Sequence, residues 1–176
     1  MDHVDEAIPA IESDRLTLRA PRPSDAGLIA HFAGDARVAR MTSTIPHPYP
    51  PGAAEAFVAR ALTRPRGETS WVIDGEGLSE VLGVLTLVPV AEGRCEIGYW
   101  IAPGFWNAGI ASEAVGALLA ANPLGCEVIL ASVFQDNPAS ARVLTGAGFA
   151  YVGDAETHCV ARDAQVPTWT YSRRMR

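Results

Sequence analysis

The sequence predicts a mixed α/β (α+β) fold: a sheet of about seven strands, mostly antiparallel, flanked by helices. Three observations predict it. Short segments with period-two alternation occur at both ends and in the middle of the chain. Segments with helical periodicity separate them. The order β-α-α-α-β-β-β-α-β-α-β-β makes the sheet antiparallel first and partly parallel later. At 176 residues and 18.7 kDa the chain has the size of one domain, 1–176, with about 1–12 as an N-terminal tail. Apolar residues make up 48% and charged residues 19%, a balance that excludes intrinsic disorder.

Arg15-Leu16-Thr17-Leu18-Arg19 alternates polar and apolar and reads as a half-buried strand. Pro23-Ser24-Asp25 starts a helix with Leu28, Ile29 and Phe32 on one face. Gly34-Asp35 breaks it, and a short helical piece follows through Val38. The stretch from Ser43 to Pro51 has four prolines within Pro46–Pro51 and is an extended, stiff loop. Ala53 to Leu62 is a helix ended by Pro65. Strands are predicted over Ser70–Asp74, Glu80–Val90 and Arg94–Ala102, and Glu92-Gly93 closes the last two into an antiparallel hairpin. Gly109–Ala121 is a helix, Val128–Phe134 a buried strand, and Pro138–Thr145 a helix. Phe149–Asp154 and Thr168–Arg173 complete the set as strands. The chain has no internal repeat and no linker.

Charge and composition exclude several classes. The net charge is -6, so the chain lacks the basic surface that releases counterions from a phosphate backbone, and no nucleic-acid partner is expected. All 14 basic residues are arginine. The longest apolar run, Val81 to Val90, is broken by Gly83, Thr86 and Pro89. It is far shorter than the ~20 residues of a membrane span, so no membrane partner is expected. The acidic N-terminus lacks the basic and apolar regions of a secretory signal. Cys95, Cys126 and Cys159 form no C-x-x-C pair and leave an odd count, which fits a reducing compartment and a cytoplasmic location. His3, His31, His47 and His158 are isolated, and no metal site is expected.

The chemistry concentrates in Tyr99-Trp100-Ile101-Ala102-Pro103-Gly104-Phe105-Trp106-Asn107-Ala108-Gly109-Ile110-Ala111-Ser112-Glu113-Ala114, where a strand runs through a glycine-containing turn into a helix. Such a turn aims several free backbone N–H groups at one point, and the helix dipole adds positive charge there. A pyrophosphate fits that site. Gly109 allows close approach of the phosphate, and Ala111 leaves the helix start uncrowded. A single glycine turn before a helix is nonspecific by spacing alone. The second segment, Asn137-Pro138-Ala139-Ser140-Ala141-Arg142-Val143-Leu144 with the trailing Gly146-Ala147-Gly148-Phe149, follows the next strand.

Together the two segments resemble the GNAT acyl-CoA-dependent N-acetyltransferases, in the RimJ/RimL-like branch of ribosomal-protein alanine N-acetyltransferases. Trp106, Gly109, Ala111, Ser112, Glu113, Ala114, Asn137, Ser140, Gly148 and Phe149 carry the match, with the strand Glu96–Ile101 before them. The opening Arg15–Arg19, the proline loop and the closing Trp169-Thr170-Tyr171-Ser172 are also similar. Two turn positions depart: Asn107 stands for the first turn glycine, and Ala108 stands for the basic residue.

The resemblance implies a fold with splayed central strands and acetyl-CoA as cosubstrate. Its pantetheine arm would lie between the strands of Trp100 and Val133, bonded to backbone groups near Trp100 and Ile101. The pyrophosphate site implied is Trp106, Asn107, Ala108, Gly109, Ile110, Ala111 and Ser112, with Asn137 and Ser140 toward the thioester. Arg142 has the alternative of partly replacing the lost cation or of being a solvated helix residue. Asn137 also fits an N-cap for the following helix. Ser140, the hydroxyl near the sulfur, is the candidate general acid, with an early-turn structural serine as its alternative. Glu96 is the candidate general base, with a cross-strand ion pair to Arg94 as its alternative. His47 in the proline loop and His158-Cys159 fall in regions that border the acceptor side in the family.

The activity implied is transfer of an acetyl group to a primary amine by direct attack on the thioester, with a protein N-terminal α-amine as one acceptor. The α-amine has a pKa of ~7.7–8.0 and needs little help to become neutral. The alternatives are an acetyltransferase of a small-molecule amine and a non-catalytic acyl-CoA-binding sensor. A monomer or a homodimer is expected. A dinucleotide-binding oxidoreductase is excluded by the late position of the turn and by the absent G-x-G-x-x-G spacing.

Overall fold

A computed structural model describes residues 7–176. Its sheet has eight strands rather than about seven, in the order β1-β2-β3-β4-β5-β6-β8-β7. The strands are β1 (Ile11–Glu12), β2 (Leu16–Arg19), β3 (Thr69–Gly75), β4 (Ser79–Ala91), β5 (Arg94–Ile101), β6 (Val128–Phe134), β7 (Ala150–Cys159) and β8 (Ala164–Arg174). The helices are α1 (Ala26–Ala33), α2 (Ala36–Ala39), α3 (Ala53–Thr63), α4 (Ile110–Ala121) and α5 (Pro138–Gly146).

The extra strand, β1, falls in the predicted tail. Ile11 and Glu12 pair with Leu18 and Thr17, and the Pro9 carbonyl accepts a 2.8 Å bond from the buried Trp71 indole. Two residues are too short for an alternation to show in the sequence. Residues 1–6 of the tail lie outside the described ones. At the other end β7 and β8 are longer than predicted. Gly153, Asp154, Glu156 and His158 on the sheet edge carry no hydrophobic pattern, and the strand is held by its backbone ladder to β8.

The alternation of the strands sends side chains to two separate layers. On one face Leu16, Leu18, Trp71, Ile73, Leu85, Leu87, Ile97 and Ile129 pack against Ile110, Val115 and Leu118 of α4 and Ala141 and Leu144 of α5. On the other face Val72 and Val81, with Trp100 at the margin, pack against Ile29 of α1 and Ala54 and Val58 of α3. Leu28 is 37% exposed, because the buried stripe of α1 runs through Ala26, Ile29 and Ala33 instead. A buried ion network ties the entry of α1 to the sheet. Arg19 bonds both oxygens of Asp25 at 2.8–2.9 Å and Asp74 at 2.8 Å, and it donates to the Glu80 carbonyl.

All strand pairs are antiparallel except β5 with β6. That parallel pair has only three registered partners: Arg94–Val128, Cys95–Ile129 and Glu96–Leu130. Beyond Glu96 and Leu130 the two strands part while each keeps its outer neighbour, β4 or β8. The expected splay is therefore present, and its crotch is at Glu96. Below the crotch the structure joins Cys95 to Cys126 as a disulfide, with Cα atoms 6.2 Å apart. This corrects the reading of the three cysteines as fitting a reducing compartment. The two are 31 residues apart in sequence, and only the parallel pairing of β5 and β6 brings them together. Cys159 alone is free, buried, and donates to the Thr42 carbonyl at 3.2 Å. Among the described residues no helix is long and apolar enough to cross a membrane.

Candidate active site

The gap between β5 and β6 is lined by backbone as well as side chains. Ala102 donates to the Leu82 carbonyl at 2.8 Å, which fixes the bonding alternation along β4 and β5. Even-numbered residues of β5 then bond to β4, and odd-numbered ones turn their backbone groups to the gap. The open groups belong to Tyr99 and Ile101, and Trp100 is bonded away from it. The Trp100 side chain packs with the α1 and α3 layer. The open groups near Trp100 are therefore those of its neighbours Tyr99 and Ile101. The Ile101 carbonyl is already occupied, accepting a 2.7 Å bond from the Trp106 indole. That bond folds the turn back onto the strand end. The Trp106 ring is 44% exposed, with the Arg37 guanidinium 5.8 Å from its centre.

The turn leading into α4 has two residues in left-handed conformations, Asn107 at φ 59° and Gly109 at φ 75°. Asparagine is among the few side-chain residues that accept this region, so it serves where the family has glycine. Gly109 is the N-cap of α4 and provides no side-chain cap. The N–H groups of Ile110, Ala111 and Ser112 in the first helical turn have no intrahelical acceptor and remain available. Asn107, Ala108, Gly109 and Ser112 are exposed, Ala111 is half-buried, and Ile110 anchors the helix start in the core. Arg142 is exposed on α5, and no ion pair with a described residue holds it near the turn.

Ser140 and Asn137 lie at the start of α5, beside the opened strand. Asn137 caps the helix, its side-chain oxygen accepting from the Ser140 N–H at 3.4 Å. The Ser140 hydroxyl meets the Tyr99 hydroxyl at 2.7 Å. Burial pushes the Tyr99 phenol up, against a smaller opposing effect of the bond to Ser140, so it keeps its proton and can donate to the serine oxygen. Tyr99 had a sequence signal in its two-residue offset from Ile97 and Ile101, which places all three on the α4 and α5 face. The bond itself joins elements 41 residues apart and had none.

Glu96 lies on the opposite face. The β4–β5 register is regular from Gly83–Ile101 to Pro89–Cys95, so no bulge disturbs the count between Glu96 and Tyr99. The Glu96 carboxyl is half-buried and makes no hydrogen bond or ion pair with any described residue. The predicted pair with Arg94 is not formed. Burial raises its pKa. The same face of the sheet carries hydroxyls: Ser70 and Thr86, bonded to each other at 2.8 Å, and Ser132, Thr170 and Ser172 on the far side of the gap.

This polar face is bordered by the loop after α2 and the tip of the β7–β8 hairpin, which are fastened together. Arg162 holds Asp136 at 2.6 Å and the Arg40 carbonyl at 2.9 Å, and Val160 donates to the Ser43 carbonyl at 3.0 Å. His47 is exposed in the loop and His158 on the edge strand; neither approaches Glu96 through a hydrogen bond.

The comparisons with known proteins agree with this geometry. The family description "Acetyltransferase (GNAT) domain" matches residues 15–150, and the chain belongs to this family of acetyltransferases. It is 29% identical over 169 residues to the "Uncharacterized N-acetyltransferase YoaA" of Bacillus subtilis (strain 168), covering 93% of this chain and 96% of that protein. The solved RimL, a ribosomal L7/L12 α-N-protein acetyltransferase in complex with coenzyme A, superposes with a TM-score of 0.82 at 21% identity, over 95% of this chain and 98% of that one. Mycobacterium smegmatis RimJ, in complex with CoA-disulfide, gives 0.81 at 19% identity over 94% and 87%. The microcin C7 self-immunity acetyltransferase MccE, in complex with acetyl-CoA and AMP, gives 0.80 at 16% identity over 93% and 94%. The expected RimJ/RimL-like likeness therefore extends to the fold of nearly the whole chain.

Proposed function

We propose that the protein transfers an acetyl group from acetyl-CoA to a primary amine, with a protein or peptide N-terminal α-amine as acceptor. The observation that carries this reading is the placing of two groups on opposite faces of the parted strands. Ser140 with Tyr99 is on the α4 and α5 side, and the unpaired Glu96 is at the crotch on the other side. The donor enters from one face and the acceptor from the other. The diphosphate sits on the free amides from Asn107 to Ser112, and the pantetheine arm follows the open backbone of Tyr99 and Ile101. Structural neighbours solved with acetyl-CoA or CoA support that donor.

The amine nitrogen attacks the thioester carbon, and a backbone N–H of the gap stabilises the oxyanion. Glu96 takes the ammonium proton, directly or through water; its raised pKa brings a carboxylate closer to the working pH of a base. The carbon–sulfur bond then breaks. The thiolate takes the Ser140 hydroxyl proton, which the hydrogen bond from Tyr99 keeps directed at sulfur, and the serine oxygen regains a proton from water. The single carboxylate suits an α-amine, which is partly neutral near pH 7 with a pKa of ~7.7–8.0.

A thiol-release assay with acetyl-CoA against short peptides with free N-termini, amino sugars and polyamines tests this. Turnover with peptides is expected. Turnover restricted to small amines refutes the acceptor. Calorimetric binding of CoA with no turnover on any amine refutes the enzyme and leaves a sensor.

A further inference from the structure

The turn that receives the diphosphate lacks a basic side chain of its own, since Ala108 stands where the family has one. A guanidinium reaches it from elsewhere. Arg15, just before β2, donates from Nη1 to the Ala108 carbonyl at 2.9 Å. Its Nε is 2.7 Å from Glu113 Oε1 and its backbone N–H 2.9 Å from Glu113 Oε2, so the side chain is fixed at its base by the first turn of α4. Ser13 adds a 2.5 Å bond to the same carboxylate. The remaining nitrogen, Nη2, faces Gly109 closely enough that a Cβ built there would lie 3.3 Å from it. Nη2 makes no hydrogen bond with a described residue.

We infer that Arg15 is the positioning residue of the diphosphate cradle and stands in for the missing turn cation. The inference rests on the proposed seat of the diphosphate at this turn. Two effects follow from the contacts. The peptide unit is planar and trans, so a carbonyl of Ala108 held toward Arg15 turns the Gly109 N–H the opposite way, into the cradle. The guanidinium also neutralises Glu113, a carboxylate within the first turn of α4 that otherwise repels an incoming anion. Glycine suits position 109 because of its φ of 75°, and a Cβ there would also press lightly on Arg15 Nη2.

The test compares two acetyl donors, acetyl-CoA and S-acetyl-pantetheine, which lacks the diphosphate. The wild-type protein should prefer acetyl-CoA strongly; equal use of both removes the cradle and this inference with it. In Arg15→Met, KM for acetyl-CoA should rise roughly tenfold, the size of one hydrogen bond from the Gly109 N–H to a charged acceptor, with a much smaller change in kcat. The kcat/KM for S-acetyl-pantetheine should move less than about twofold on the same reasoning. Arg15→Lys keeps the charge without the fork and should show the same split at smaller size, which also serves if the methionine variant folds poorly. Adding Ala108→Arg to Arg15→Met should recover part of the acetyl-CoA preference. Equal losses on both donors would make Arg15 a scaffold residue only and overturn the inference, as would an unchanged KM for acetyl-CoA.

Discussion

The bond between Tyr99 and Ser140 makes a quantitative prediction. Tyr99→Phe removes one hydroxyl and leaves the ring, so packing against the α4 and α5 layer is kept. The lost interaction is a 2.7 Å bond between half-buried groups. A neutral bond of this kind contributes about 1 kcal/mol net, which is roughly fivefold in rate if it serves only to direct the serine proton. Ser140→Ala removes the donor itself and should cost on the order of 10² in kcat, the lower range for general acid catalysis. The informative variant is the double one. If Tyr99 acts only through Ser140, then Tyr99→Phe has nothing left to disturb once the serine is alanine. The double variant should match Ser140→Ala, and the coupling energy should equal the full effect of Tyr99→Phe, about 1 kcal/mol. Steady-state thiol release with saturating amine reads all four corners of this cycle, with KM for acetyl-CoA measured alongside. Independent effects, with the double variant roughly fivefold slower than Ser140→Ala, would refute the relay and leave Tyr99 as packing. An unperturbed Ser140→Ala would refute the acid assignment.

Four further outcomes are expected. Glu96→Gln should lower kcat and abolish the acid limb that the carboxylate gives the pH–rate profile; an unchanged limb would assign it to the amine alone. Burial raises the Glu96 pKa, so the folded protein holds that proton to higher pH than the unfolded chain does, and stability falls as pH rises through this window. Glu96→Gln should therefore melt slightly higher than the parent at neutral pH, and lower stability in a pH series of melting curves would contradict this. Gly109→Asp places a carboxylate against the diphosphate at a left-handed position and should abolish CoA binding by calorimetry, whereas normal binding would move the diphosphate elsewhere. Asp25→Asn leaves the buried Arg19 with Asp74 as its only carboxylate partner and should cost about 3 kcal/mol in denaturant unfolding. Although burial acts to raise the Asp25 pKa, the bonds from Arg19 and the Arg22 N–H outweigh it and lower the value. This stability is present above the unfolded carboxylate range and is lost as pH falls through the folded value. A cost below about 1 kcal/mol would mean the network is replaceable.

Much of the site was legible before the structure because its parts are local. The Gly109 turn is followed directly by the apolar stripe of Ile110, Ala114, Val115 and Leu118, and Asn137-Pro138 shows a helix start. Each is a short-range pattern of conformational preference. Glu96 and Tyr99 were separable by parity alone, which holds as long as a strand has no bulge. The contacts that give these residues their chemistry were not legible. Arg15 lies 98 residues from Glu113 and 41 residues separate Tyr99 from Ser140. No periodicity connects such positions.

The sequence by itself determined the order of the strands and helices after β1, the glycine turn into α4, the family and the candidate groups, since these follow from neighbours along the chain. Only the tertiary structure decided which backbone groups open into the gap, that Cys95 meets Cys126, and that the Arg15 guanidinium bonds Glu113 and the Ala108 carbonyl. Those outcomes depend on the register of paired strands and on where β5 and β6 cease to bond. Register is a sum over many contacts distant in sequence, and no single segment carries it.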